Sequence, residues 1–406
     1  MPSPKLKTSK ENIMQSPLLG SMSVEEFMAE YWQKKPCIIR GAFAADALQI
    51  LDANEIAGLA LEEDIESRLI QSLPNNHSLS SVEWTSQLGP FDEKTLTKLP
   101  ETNWTLLIQS VDIWLEPFQE LLEWVDFIPR WRLDDIMISL ATPGGGVGPH
   151  RDQYDVFLIQ ANGTRRWKVA PPSNTPDICV TDNLLQVSPF IATIDEEFQA
   201  GDILYLPPGW LHWGTAVTEC ITCSIGFRAP SAVNIIETLS QIIDDSDLKQ
   251  TWDRLYRYTD LGRKPGTNMS IRASDVQQVR EKLQQLLQND RLLAEALASV
   301  TTQPKIYPQF DEALLDAMQY IEDIHSLPPE QEWILAPHTR MTYYVVDENI
   351  IDVYINGELF KIDAVDTLIL DKIASHSPIS IKKCLNIRQL INIMPILLKE
   401  GSAFLL

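Results

Sequence analysis

The chemistry legible in this chain lies in His150 and Asp152 of Gly148-Pro149-His150-Arg151-Asp152, in His212 of Leu211-His212-Trp213, and in Arg165 and Ser139 on neighbouring segments. Side chains of an extended segment repeat every two residues, so His150 and Asp152 present an imidazole and a carboxylate to one face, with Arg151 pointing away. A distant strand can bring a second imidazole to the same point. Two histidines and one carboxylate on a triangular face of an octahedral metal leave three positions open, the arrangement of non-haem Fe(II) oxygenases.

A His-x-Asp pair alone occurs by chance in many chains of this length. Here the chain has only six histidines, and His77, His325, His338 and His376 fall in polar loops or helical stretches. His150 and His212 sit among glycines, prolines and strand-forming residues. Gly201 to His212 (GDILYLPPGWLH) ends a strand in Pro-Pro-Gly just before the second histidine. A metal site is the stronger reading of this pattern.

An Fe(II) oxygenase needs a reductant, and 2-oxoglutarate would chelate the metal while its far carboxylate meets a cation. Arg165 follows the Asn162-Gly163 turn and can reach from a neighbouring strand, where a guanidinium grips a carboxylate in two places. Arg166 and Lys168 compete for that role. Alternation sets Arg166 with Lys168 on one face and Arg165 with Trp167 on the other, and spacing does not say which face is inside. Ser139, on the strand before Gly144, is a possible second donor to the same carboxylate.

These residues need strands to hold them. From Trp131 the chain reads as short strands broken by Gly and Pro: 135–141, 154–160, 165–170, 202–206 and 220–228, with Asn162-Gly163 as a hairpin signal. Strands so spaced, without intervening helices, indicate a sandwich or barrel. Upstream, helical patterning covers 24–32, with Ser23 as N-cap and Glu26 three residues on, then 45–61 and 111–127. A short strand is expected around Lys35 to Arg40. Downstream, helices are expected over 232–243, 275–287 with Ser274 as N-cap, 291–300 and 310–324. The last part mixes strands flanking Asn356-Gly357 with helices over 367–374 and 387–399, the latter weakened by Pro395.

Length and composition bound the rest. With 406 residues, 44% hydrophobic and 22% charged, the chain can build more than one domain with real cores. No run of residues is apolar enough to span a bilayer, no secretory signal is visible, and five scattered cysteines do not make a disulfide framework. A cytoplasmic location is expected. Cys220-x-x-Cys223 lies in an apolar strand where i and i+3 face opposite sides, which argues against zinc. The formal net charge is −23, and residues 41–130 alone hold 16 acids against 4 bases. Such a field repels nucleic-acid phosphates and attracts basic partners. Residues 331–406, with 9 acids and 7 bases, do not read as a DNA-binding surface.

The runs PGGGVGPHRDQYDVFLIQANGTRRWKV and GDILYLPPGWLHWG resemble the JmjC-type cupin oxygenases. More closely, they resemble bacterial ribosomal oxygenases that hydroxylate an arginine of a large-subunit ribosomal protein, the one numbered sixteen. The resemblance covers most of the chain. It implies a mixed α and β protein with a double-stranded β-helix (cupin/JmjC jelly-roll) core. The expected parts are an arm over 1–22, an oxygenase domain with a helical N-terminal elaboration over 23–230, a helical dimerisation region over 231–328, and a winged-helix-like domain over 329–406. It also implies His150, Asp152 and His212 as iron ligands and catalytic centre, Arg165 as the 2-oxoglutarate anchor, and Ser139 as a co-substrate contact. Cofactor and co-substrate are then Fe(II) and 2-oxoglutarate, and the partners a basic ribosomal protein and a second copy of the chain. Tyr154 and Asp155, just past the metal pair, are candidates by position for gripping a guanidinium. The triad does not encode the target, so histidine or methyl-lysine remain rival substrates, and a non-enzymatic metal-binding regulator remains a rival class.

Overall fold

The computed structural model describes residues 16–44, 48, 51–74, 82–245, 249–259, 270–306, 324–363, 366–385 and 387–406. The chain divides into two compact units, Met1–Ala229 and Pro230–Leu406. Among the described residues no helix is long and apolar enough to cross a membrane.

The first unit is built on strands β1 (Cys37–Ile39), β2 (Ser67–Pro74), β3 (Val82–Leu88), β4 (Trp104–Ile108), β5 (Leu133–Ala141), β6 (His150–Arg151) and β7 (Asp155–Asn162). It continues through β8 (Thr164–Ala170), β9 (Ile178–Thr181), β10 (Leu184–Gln186), β11 (Ile194–Gln199), β12 (Ile203–Leu206), β13 (Leu211–Ala216) and β14 (Cys220–Phe227). They form an eight-stranded sheet in the order β1-β12-β7-β14-β5-β4-β2-β3 and a four-stranded sheet in the order β11-β8-β13-β6, with β9 and β10 as a separate hairpin. The two sheets are the walls of the double-stranded β-helix. β7 is buried along nearly its whole length because both of its faces are covered. Phe157 and Ile159 join the outer core with Phe27, Phe118 and Tyr205, whereas Val156 and Leu158 pack between the sheets against Trp167, Val169 and Leu206.

Several expectations change in three dimensions. Asn162-Gly163 does not close a hairpin between paired strands. β7 pairs with β12 and β14, β8 pairs with β11 and β13, and the turn carries the chain from one sheet to the other. Gly163 is required there, at φ +65°, because a Cβ would lie 2.1 Å from the Glu219 carbonyl oxygen. The helix expected over 45–61 begins only at Ala53, where Asp52 caps it through a reciprocal box with Glu55; residues 45–47, 49 and 50 lie outside the described residues. The stretch 111–127 breaks into helices Val111–Trp114 and Glu116–Leu121 and a 3-10 turn, Leu122–Val125. Pro117 cannot sit inside one continuous helix, but it fits the first turn of a new one. The acidic segment also supplies β2, β3 and β4, which no periodicity announced; they extend the large sheet beyond the barrel. The helix Val24–Glu30 and its Ser23 cap stand as expected.

The second unit holds helices Ala232–Asp245, Lys249–Leu255, Ala273–Leu286 and Asp290–Thr302, followed by small sheets and further helices. The third of these starts two residues before the expected Asp275. Its cap is Arg272 rather than Ser274, because the Asp275 carboxylate reaches back to accept from the Arg272 amide at 2.8 Å. The helix expected over 310–324 lies outside the described residues, apart from Ile324, which opens a 3-10 turn. Strands Ile350–Ile355 and Glu358–Asp363 do flank Asn356-Gly357, both with positive φ (52° and 87°), as a two-residue hairpin turn needs. The last helix, Arg388–Lys399, runs through Pro395 despite the hydrogen bond lost there. Arg291 grips the fully buried Asp352 with two bonds of 2.6 and 2.7 Å, joining the helix Asp290–Thr302 to the sheet.

Candidate active site

The site forms where the two-residue strand β6 meets β13. Gly148, at φ +80°, turns the chain into β6, and the Gln186 side-chain amide holds the Val147 carbonyl at 2.9 Å just before that turn. His150 and His212 are direct cross-strand partners, their ring centroids 4.1 Å apart. His212 Nε2 lies 3.4 Å from Asp152 Oδ2, and one ligand atom from each of the three residues falls within 4.8 Å of the others. Among the described residues this is the only such cluster. The pairing of β13 with β6 within one sheet thus brings His212 to a pair of ligands about sixty positions earlier in the chain.

Each imidazole is oriented by its own backbone. His150 Nδ1 sits 3.0 Å from the Gly148 carbonyl oxygen, and His212 Nδ1 sits 3.0 Å from that of Trp210. A carbonyl only accepts, so each Nδ1 carries the proton and each Nε2 keeps its lone pair for the centre of the cluster. Burial, with the neighbouring His212, lowers His150 to about 4, so its ring is neutral near pH 7. Burial works to raise the Asp152 carboxyl, but its close neighbours His212, at 3.4 Å, and His150 outweigh it and hold it at about 2. Tyr154 acts on the same carboxyl in the same direction. Two imidazole nitrogens and one ionised carboxylate on converging vectors suit a divalent iron with open positions.

Arg165 lies inward on β8 and Arg166 outward, which settles the alternation left open by spacing. Arg165 is 5% exposed, whereas Arg166 reaches out to Asp195 through bonds of 2.6 and 2.8 Å. Arg165 Nη1 donates to Ser139 Oγ at 3.2 Å and to Thr222 Oγ1 at 3.1 Å, and the Thr222 hydroxyl donates on to Gln160 Oε1. Its Nε has no partner, and among the described residues no carboxylate is bonded to it. A buried guanidinium without a counter-ion is costly, and the inner surface it lies on is therefore suited to an anion. A short dicarboxylate such as 2-oxoglutarate fits this chemistry, with one end at the triad and the other at Arg165. Between them stands Trp167, 5.9 Å from the His212 ring, and the strand opposite carries Gly214 because a Cβ there would come within 2.5 Å of that indole.

Other sequence candidates end elsewhere. Asp155 does not face a substrate: it is fully buried, bonded to Tyr205 at 2.7 Å, Gln33 at 2.9 Å and Arg132 at 3.1 Å. On β7 it shares a face with Phe157 and Ile159, which belong to the outer core. Arg151 does point away, pinning the carbonyls of Ser173 and Thr175. Cys220 packs with Ala141 and Ala216, while Cys223 belongs to the outer core, so the two thiols do not converge. Thr222 and Gln160, partners of the buried arginine, went unread in the sequence. Their signal was present as polar residues at inward positions of otherwise apolar strands.

Residues 120–235 match the family model described as a JmjC domain. The chain is 34% identical over 352 residues to the ribosomal protein uL16 3-hydroxylase of Escherichia coli, covering 86% of this chain and 88% of that one. It is 30% identical over 365 residues to a probable ribosomal oxygenase of Haemophilus influenzae, covering 86% and 85%. Among solved structures, YcfD from E. coli, described as a ribosomal oxygenase in complex with cobalt and 2-oxoglutarate, superposes with a TM-score of 0.69 at 30% identity over 94% of this chain and 97% of that one. Similarity of this extent, running through both units and joined to an intact triad, places the chain in a family: it belongs to the JmjC-domain ribosomal oxygenases.

Proposed function

We propose that this chain is an Fe(II)- and 2-oxoglutarate-dependent hydroxylase that acts on an arginine side chain of a large-subunit ribosomal protein in the cytoplasm. The observation that carries the reading is the buried, counter-ion-free Arg165 lying on the same inner surface as the His150, Asp152 and His212 cluster. Those three residues would hold the iron, and Arg165 with Ser139 and Thr222 would hold the far carboxylate of 2-oxoglutarate. When bound, metal and co-substrate supply the oxidation of an unactivated carbon–hydrogen bond.

The chain's own residues bind and orient. The two carbonyls at Gly148 and Trp210 fix the imidazole tautomers. Trp167, Val169 and Leu206 exclude water from between the sheets. An arginine target is supported by the mouth. Asp135, Met137 and Ser139 alternate along one face of β5, and the Asp135 carboxylate and Tyr154 ring meet over Gly226, each 3.7 Å from where its Cβ would stand. A carboxylate beside an aromatic face is what a guanidinium needs.

The second unit supports self-association and a structural tail. Ile235, Leu239 and Ile243 pack inward with Leu292 and Ala296, but Val233, Ile236, Val276, Val279 and Leu283 remain exposed on two helices. Unpartnered apolar stripes of this kind suit a helical dimer interface over 231–328, followed by a winged-helix-like domain over 329–406. The function is tested by incubating the protein with Fe(II), 2-oxoglutarate and ribosomal protein uL16. A mass gain of one oxygen on an arginine is expected; hydroxylation confined to another residue type, or none, overturns the reading.

A further inference from the structure

A second guanidinium faces the site from outside the barrel. Arg68 on β2 is aligned with Leu107 on β4, and Leu107 with Ser139 on β5. Residues directly opposite in neighbouring antiparallel strands share a face, so Arg68 projects on the same side as Ser139. The next residue on that face, Ile70, packs with Leu107, Met137, Val147, Val180 and Leu184, which closes the space between the sheet extension and the β9–β10 hairpin. Arg68 is half-buried and donates one bond, from Nη1 to the Asn183 carbonyl at 2.6 Å. Among the described residues no carboxylate is bonded to it. Burial lowers its pKa, against the charges of Glu66 and Tyr154, which act to raise it.

A cation at the entrance of a site for basic protein needs a reason to be there. Arg68 uses a single carbonyl, and a guanidinium carries five N–H donors in a fixed fork. Asp135 on β5, buried and accepting from the Ser110 hydroxyl at 3.2 Å, lies beside Tyr154 over Gly226. The two charges therefore offer different ends of a bound peptide different partners: a carboxylate for the target's cationic side chain and a cation for an oxygen acceptor. A basic loop has few carboxylates, but every residue brings a backbone carbonyl.

We infer that Arg68 is a substrate-positioning residue that donates to a backbone carbonyl of the peptide beside the hydroxylated residue, locking the register in which the target enters. This rests on the protein-hydroxylase reading above. The Asn183 bond gives the same side chain its second duty, holding the hairpin that walls the entrance. Register is then set by the fork of Arg68, while side-chain identity is set at Asp135 and Tyr154.

The test uses the full chain loaded with Co(II) and 2-oxoglutarate and a fluorescent loop peptide of uL16, with binding read by polarisation. Arg68→Gln should weaken peptide binding by about tenfold or more, the range for a hydrogen bond to a charged group, and Arg68→Lys should recover part of it. Peptides carrying one backbone ester next to the target arginine weaken a single carbonyl acceptor. One such ester should reduce binding to the wild type and have no further effect on Arg68→Gln. Independent, additive losses from ester and variant would show a merely structural role through Asn183 and overturn the inference. A loss of 2-oxoglutarate affinity with peptide binding intact would overturn it in favour of a co-substrate contact. Oxygen addition to the unmodified peptide by the wild type reports on the parent reading separately, whatever the ester cycle shows.

Discussion

His212 and His150 face each other as cross-strand partners, and each Nδ1 is tied at 3.0 Å to the carbonyl two residues before it. The strand pair therefore builds two converging Nε2 lone pairs without any help from a side chain. What remains is a negative charge to complete a site for a divalent cation, and among the described residues Asp152 provides it.

Replacing Asp152 with alanine should reduce Co(II) affinity by about a hundredfold or more, since a ligand is lost outright where even second-sphere losses reach that range. The fold should persist, because Asp152 is joined to the barrel by its backbone bond to Gly209 and by side-chain contacts within the site. Calorimetric metal titration alongside circular dichroism checks both. Wild-type affinity in a folded variant would remove Asp152 from the ligand set.

The two adjacent arginines should behave differently. Arg165→Met leaves a carboxylate in a partly dry pocket without its charge-assisted partner, a loss on the order of 2–5 kcal/mol in 2-oxoglutarate binding. Arg166→Ala, which severs only an exposed pair with Asp195, should leave the 2-oxoglutarate KM within about twofold of the wild type. A reversed result would mean that the co-substrate lies on the other face of β8.

If the exposed stripes over 231–328 pair with a second copy, light scattering should give twice the 46.0 kDa chain mass. Ile236→Glu combined with Leu283→Glu should halve it, since both side chains are more than half exposed in the single chain. A wild-type mass of one chain at micromolar concentration would return these stripes to solvent.

His338 gives a pH signature in the second unit. Burial, helped by the Arg340 charge, lowers its pKa to about 4, below the ordinary value of 6.5 that the unfolded chain would show. The unfolded state therefore binds the extra proton first as pH falls, so the stabilisation is present above pH 6.5 and is lost between 6.5 and about 4. The shift corresponds to a swing on the order of 3 kcal/mol. Thermal midpoints from pH 7.5 to 4.5 should fall less steeply for His338→Gln than for the wild type, and equal slopes would assign the acid sensitivity to other groups.

The local signals in the chain were sufficient for the chemistry class. A histidine and an aspartate two apart in an extended segment must share a face, and Pro-Pro-Gly must end a strand ahead of His212. Those are consequences of backbone geometry that need no knowledge of the rest of the fold. The same holds for Asn356-Gly357, whose positive φ angles only a tight hairpin uses, and for Ser23, whose hydroxyl has the Glu26 amide within reach. What spacing could not decide was which of two faces is the inside. A period of two is symmetric, so Arg165 and Arg166 are equivalent until β8 is laid against β7, and Asp155 looks as available as Asp152 until Tyr205 and Arg132 close over it. The Asn162-Gly163 turn was legible as a turn but not as a crossing between sheets, because a turn specifies a reversal and not the partner of the strand that follows. Strands β2 to β4 were unreadable for a related reason: β4 gains its stability from pairing with β5, β2 from pairing with β4 and β3 from pairing with β2, not from any alternation of their own. The meeting of His212 with His150, and of Thr222 and Gln160 with Arg165, comes from long-range strand register, which is set by the packing of two complete sheets and is encoded in no short stretch of the chain.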